Sequence, residues 1–311
     1  MTKPKFYWFA PTNGDGERLG LSKPEREPTL DYLVNVAKAV EEAGFEGILI
    51  PTGIPYLDSF VVGSAIIHHT DRIKPLIALR PGFISPTVAS KLAATLDQFS
   101  SGRLLVNVVT GGSKKELSQD GDFANHEERY RRTEEFLDVL VKSWNERHFK
   151  HQGEFFNIND GLLYPPLYQE KGIPVHFGGS SHSAKKIAAK YANVYLQWGE
   201  PVARIKEQIE DVRKQADELE RTVDFGIRLH VVIRNTEEEA WNAAYEMISS
   251  IDTSVQQKMN DIFEESDSVA QKRMTEISRQ GERFDKYSLS LIHIRRCRRW
   301  RSCRSRWSPY H

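Results

Sequence analysis

Cysteine is nearly missing: of 311 residues only Cys297 and Cys303 are cysteine, both close to the end of the chain. Upstream of them no disulfide, thiolate nucleophile or cysteine metal ligand is possible, and a reducing, cytoplasmic setting is expected. No run of roughly 18 apolar residues occurs, and the opening MTKPKFYWFAPTNGDG lacks the apolar stretch of a signal peptide, so neither a membrane span nor export is expected. HExxH, HxH and Cys-His spacings are missing, and no metal is expected. Without GxSxG or GxGxxG, hydrolases and Rossmann dehydrogenases lack their usual local chemistry.

Acidic residues are missing from one place. Residues 291–311 (LIHIRRCRRWRSCRSRWSPYH) hold seven arginines and no Asp or Glu, so the chain-wide balance of 43 basic and 43 acidic groups hides a formal −7 over residues 1–290. A mildly acidic body argues against a nucleic-acid partner. The composition jump at 288–291 reads as a shift of reading frame, making 291–311 a non-native or disordered tail; the other reading is a basic extension that binds RNA or anionic lipid.

What is present is ordinary for a globular enzyme, with 39% hydrophobic and 28% charged residues. Seven short runs rich in β-branched and aromatic residues recur at 5–11, 47–51, 74–81, 104–111, 174–179, 194–199 and 225–233. Between them lie segments with helical spacing at 29–43, 86–99, 127–144, 183–191, 202–218 and 236–250. Strands this apolar need cover on both faces, which a doubly wound sheet or a (β/α)8 barrel supplies; seven βα units before residue 250 favour an α/β fold of the TIM-barrel type lacking its eighth βα unit. Expected boundaries are a barrel over 1–250, a polar helical segment over 251–290 and the tail over 291–311.

In a parallel barrel the active site forms where strands end. HFGGSSHSAKKIAAKYA runs a strand into Gly178, Gly179, Ser180 and Ser181 and then a helix. This suits an anion cradle made of bare backbone, hydroxyls and a helix amino terminus; it equally suits a serine N-cap after a glycine turn. VTGGSKKELSQDG places Thr110 and Gly111 in a polar loop after strand four, with Tyr130 following, able to offer its hydroxyl to the same phosphate; alone this is also just a loop. Arg228 and His230 are two apart and share one face of a strand, where a buried cation needs either a bound anion or an internal carboxylate. His68 and His69 suit a helix carboxyl end.

Together PTNGDG, GFEGILIPTG, ALRPGFISPTVASKLAATLDQFSSGRLLVNVVTG, HEERYRRTEEF, HFGGSS, YLQWGEP and FGIRLHVVIR resemble, in order over about residues 5–285, the alkanesulfonate monooxygenases of the bacterial-luciferase superfamily. The resemblance implies a cytoplasmic, homo-oligomeric enzyme that takes reduced FMN (FMNH2) from a separate NAD(P)H-dependent FMN reductase. It uses O2 to convert a sulfonate to aldehyde and sulfite. It further implies that Ser180, Ser181 and Tyr130, with Gly179, hold the FMN phosphate and that Asn107, Thr110 and Gly111 lie by the ring. Trp198 would be the flat apolar wall beside the ring. Arg228 would bind sulfonate or steady developing charge, with His230 as acid/base. Two positions depart from the pattern: Asn13 stands where close relatives have His, and Tyr56 where some have Cys, so both are candidates for altered acid/base duty or substrate range. Relatives also continue past residue 290 with an eighth strand and closing helices that are not recognisable here. The alternatives are a luciferase-like oxidoreductase using deazaflavin F420 or a non-sulfonate substrate, and a flavin-binding protein without activity.

Overall fold

The computed structural model describes residues 3–249, 251, 266–280 and 292–296. Seven strands form one parallel sheet in the order β1-β2-β3-β4-β7-β8-β9: β1 (Tyr7–Phe9), β2 (Gly47–Ile50), β3 (Lys74–Leu79), β4 (Leu105–Val108), β7 (Val175–Gly178), β8 (Val194–Trp198) and β9 (Asp224–Arg228). Helices connect them: α1 (Leu30–Glu42), α2 (Ser59–His69), α3 (Pro86–Phe99), α4 (Lys114–Gln119), α5 (His126–Asn145), α6 (His182–Tyr191) and α7 (Val202–Asp217). A short antiparallel hairpin, β5 (Phe149–Gln152) with β6 (Asn157–Gly161), interrupts the alternation after α5.

Local chemistry starts the helices where the spacing predicts. Thr29, Asp58, Ser85, Asn125 and Ser181 each accept a backbone N–H in the first turn of the helix that follows, and Asn125 with Glu128 completes a reciprocal capping box. Along the strands, alternate residues face the helices. Ile48, Ile50, Ile77, Leu79, Val106, Val108, Val175, Phe177 and Tyr195 pack there with Leu33, Ala37, Ala89, Leu137 and Ile187 into one buried core. Burying a side chain of this size stabilises the fold by roughly 1.5–3 kcal/mol before entropy is counted. The positions between them, Phe9, Ala78, Asn107, His176, Leu196, Trp198 and Arg228, line the concave face.

The sheet curls into a seven-strand half-barrel, and among the described residues it has no eighth strand: β1 pairs only with β2 in this sheet, and β9 only with β8. The run 225–233 splits at Leu229 into β9 and β10 (His230–Arg234) because its partner changes there. β9 pairs with β8 as far as Trp198 and Arg228, and β10 pairs in parallel with β11 (Ile292–Arg296). β11 lies within 291–311, the stretch read from the sequence as a non-native or disordered tail. β10 carries the chain into α8 (Glu237–Ile248), and Val269–Gln280 forms α9 inside the expected helical segment. Residues 252–265, 281–291 and 297–311 lie outside the described residues.

Candidate active site

All seven strands run the same way, so their carboxyl ends share one rim. There β7 passes into the turn Gly178–Ser181 and then α6. Gly179 has φ +142, and a Cβ on it would stand 2.7 Å from Ala184 Cβ and 3.2 Å from the Tyr130 hydroxyl. Only glycine lets the backbone pass this close. Tyr195, from β8, donates its hydroxyl to the Gly179 carbonyl at 2.6 Å and fixes the turn from below. Ser181 caps α6, its Oγ accepting from Ala184 N at 3.2 Å. Tyr130, on α5, meets the same serine: burial raises its pKa above the usual tyrosine value, opposed by a hydrogen bond with Ser181 and by the charge of Arg129. Ser180 and Ser181 are both half-buried. Bare backbone, two hydroxyls, a phenol and a helix amino terminus thus meet at one point, a donor set that fits a phosphate.

On the next two strands, Trp198 of β8 and Arg228 of β9 stand side by side in register. The Arg228 guanidinium lies 4.4 Å above the Phe9 ring centroid, and the Tyr56 ring is 6.3 Å from the same phenyl. No carboxylate pairs with Arg228 among the described residues. Crowding within the concave face strips water from its guanidinium and lowers its pKa from the usual arginine value, although the open side of the half-barrel leaves part of the side chain reachable by solvent. Burial, followed by the charge of Arg228, lowers the pKa of His230 and favours its neutral form at pH 7. β8 alone separates β7 from β9, and neighbouring strands lie about 4.8 Å apart, so the turn that leaves β7 and the Arg228 backbone stand roughly 10 Å apart on the same rim.

The remaining expected positions divide. Asn107 is half-buried on the concave face, between Ala78 and His176 in register. Gly111 has φ +85, and the loop after it receives Ser266 and Asp267, which donate to the Gly112 carbonyl at 2.9 and 3.0 Å. Thr110 is buried, and its hydroxyl is shared with Thr133 of α5 at 3.4 Å, so this side chain binds helix to loop. Asn13 and Tyr56 are exposed on the loops after β1 and β2, which join where Leu57 N donates to the Thr12 carbonyl at 3.2 Å.

Several residues of this rim have partners that local pattern does not announce. Phe9, beneath Arg228, belongs to a run that reads only as a strand. Arg80, 8% exposed, pairs with Glu116 at 2.8 Å. Glu200, whose side chain is 2% exposed, pairs with Arg273 of α9 at 3.0 Å. His176 lies on the concave face with its Nδ1 unpartnered, and burial pushes its pKa down to about 4. Arg80 and Glu200 stand out in the sequence as polar residues that end the third and sixth apolar runs, but nothing in the spacing announces the partner of either. Among the described residues no group of three or more His, Cys, Asp or Glu is placed to hold a metal ion, and no helix is long and apolar enough to cross a membrane.

Comparison with known proteins places these features in a wider set. A family model described as luciferase-like monooxygenase matches residues 4–290. Among solved structures, a riboflavin lyase (RcaE), crystallised with modified FMN and its substrate riboflavin, superposes with a TM-score of 0.74 at 21% identity, covering 82% of this chain and 68% of that one. A long-chain alkane monooxygenase (LadA) gives a TM-score of 0.71 at 21% identity over 79% of this chain and 70% of that one. An F420-dependent secondary alcohol dehydrogenase gives 0.65 at 18% identity over 89% and 90%.

Proposed function

The chain belongs to the luciferase-like monooxygenase family, and from that premise we propose that it is an FMNH2-dependent, two-component monooxygenase that desulfonates alkanesulfonates or related organosulfur compounds. The single observation that supports this most is the meeting, on one rim, of a phosphate-sized cradle at Gly179–Ser181 and a guanidinium at Arg228 that lacks a carboxylate partner among the described residues. The similarity to a riboflavin lyase crystallised with modified FMN and to a long-chain alkane monooxygenase supports the same assignment.

In this reading Gly179, Ser180, Ser181 and Tyr130 hold the FMN phosphate, Trp198 offers the ring a flat apolar wall, and Asn107 and Gly111 lie beside it. Thr110 supports that loop through Thr133. Bound FMNH2 supplies the electrons that activate O2; one oxygen atom ends in the aldehyde and the other in water, while the carbon–sulfur bond breaks to give sulfite. Arg228 binds the sulfonate by charge-assisted hydrogen bonds. His230, neutral at pH 7, accepts a proton at the reacting centre. Asn13 cannot move a proton, so with Tyr56 it shapes the substrate end of the cavity. Reduced flavin arrives from a separate NAD(P)H-dependent FMN reductase, and the enzyme works as a homo-oligomer in the cytoplasm.

The test is an anaerobic titration with FMNH2, then air, with sulfite measured over a panel of sulfonates. Sulfite release supports the reading. Binding of FMNH2 with no sulfite from any sulfonate points to a non-sulfonate substrate or an inactive flavin-binding protein. Tight binding of reduced F420 in place of FMNH2 favours the second reading, which the 90% coverage of an F420-dependent dehydrogenase motivates.

A further inference from the structure

The turn after β2, which presents Tyr56, is held by a carboxylate from another loop. Glu116, in the first turn of α4, accepts at one oxygen from both Ile54 N at 3.0 Å and Arg80 Nη2 at 2.8 Å. One atom therefore ties together the loops after β2, β3 and β4. The pair sits against bare backbone: Gly53 has φ +112, and a Cβ there would meet Glu116 Oε1 at 2.2 Å and Arg80 Nη2 at 2.5 Å. From Gly53 the chain turns, Tyr56 N donating to the Gly53 carbonyl at 2.8 Å. That brings the Tyr56 ring to 6.3 Å from Phe9, the ring that underlies Arg228. Among the described residues Arg80 has no other carboxylate: its Nε and Nη1 are buried without hydrogen-bond partners and its guanidinium lies 5.9 Å from the Phe83 ring centroid, so loss of Glu116 leaves the cation without a counter-charge.

We infer that the Arg80–Glu116 pair is a positioning element that holds the Tyr56-bearing turn against Arg228 and so sets which substrate tail the cavity accepts. The pair acts through the turn and touches neither cofactor nor substrate. The specificity half of this inference rests on the monooxygenase reading above; the positioning half does not.

Three measurements on Glu116→Ala and Glu116→Gln in the full chain test it: amide hydrogen exchange without ligand, FMN affinity, and KM and kcat over a sulfonate series. In Glu116→Ala, exchange of residues 52–58 should rise about tenfold or more while the sheet strands keep wild-type protection. KM should rise by about tenfold with kcat and FMN affinity within about twofold of wild type. Glu116→Gln keeps an oxygen that accepts from Ile54 N and Arg80, and should restore most of both. Unchanged exchange over 52–58 overturns the inference, as does an equal rise across β1 to β4, which would make the pair a brace of the whole fold. Should Glu116→Ala not fold, Arg80→Met replaces it, with the same outcomes. If no sulfonate is turned over, exchange alone decides the positioning claim, and the functional reading fails separately.

Discussion

Substituting Gly179 by alanine tests the cradle most directly, because the structure gives each part of the cost. At φ +142 a non-glycine residue is strained by roughly 1–3 kcal/mol. The new methyl would also lie 2.7 Å from Ala184 Cβ, on the first turn of α6, where neither atom sits on a flexible arm. Relieving that overlap adds roughly 1–3 kcal/mol, so we expect Gly179→Ala to lose about 3 kcal/mol of stability in total. Gly121→Ala is the matched control: it has φ +83 with nothing within 4 Å of its Cβ, and should cost only the left-handed strain of roughly 1–2 kcal/mol. The functional effect follows from geometry. Relief must move the turn away from α6 or from the Tyr130 hydroxyl, displacing one or two donors aimed at a phosphate, each worth roughly 1.5–3 kcal/mol to a charged acceptor. FMN affinity should then fall about 10- to 100-fold, while riboflavin, which lacks the phosphate, should bind about as in the wild type. Urea unfolding and paired fluorescence titrations with FMN and riboflavin measure both. A Gly179→Ala protein that keeps the wild-type ratio of the two affinities would refute the cradle, and one as stable as Gly121→Ala would refute the steric argument.

Three further outcomes are expected. His176 has a folded pKa of about 4 against 6.5 unfolded, so the unfolded chain binds the extra proton first: the contribution is complete above pH 6.5 and is lost as pH falls through about 4, amounting to about 3 kcal/mol. Urea midpoints between pH 7 and 4.5, above most carboxylate titrations, should show a shallower slope in His176→Gln, and an unchanged slope would remove His176 as the cause. Arg228→Met should raise KM for sulfonates by about tenfold or more without weakening FMN binding; a KM within twofold of wild type would place the substrate anion elsewhere. Glu200→Ala leaves Arg273 with only the Gln208 amide oxygen at 3.3 Å and should destabilise the protein by roughly 3–5 kcal/mol, and a thermal midpoint within a degree of wild type would contradict that.

What could be read from the chain itself was whatever local spacing encodes. Apolar runs about the length of a strand, separated by amphipathic segments, placed all seven strands of the sheet and α1, α3, α5, α6, α7 and α8 within a few residues. Ser85 before Pro86 and Asn125 three before Glu128 cap α3 and α5 by chemistry that needs no distant partner. The Gly-Gly-Ser-Ser turn showed itself because glycine followed by a capping serine is meaningful within four residues. Less was legible where periodicity is weak. α2 is apolar nearly all round and offers no stripe, although His68 and His69 close it as expected. The β5–β6 hairpin is short and polar, and α4 is only six residues long.

Tertiary structure alone decided how the turn, the phenol and the guanidinium relate. Tyr130 reaches Gly179 from a helix 49 positions upstream, and Phe9 reaches Arg228 across the whole half-barrel. Arg80 finds Glu116 over 36 residues and Glu200 finds Arg273 over 73. Such pairings depend on strand order, curl and register, which arise when the core faces pack together. Side-chain period fixes which face of a strand a residue occupies, and packing fixes what it faces. The sequence by itself therefore determined the elements, their order and the candidate groups; the folding of parallel strands onto one rim determined which of those groups lie together.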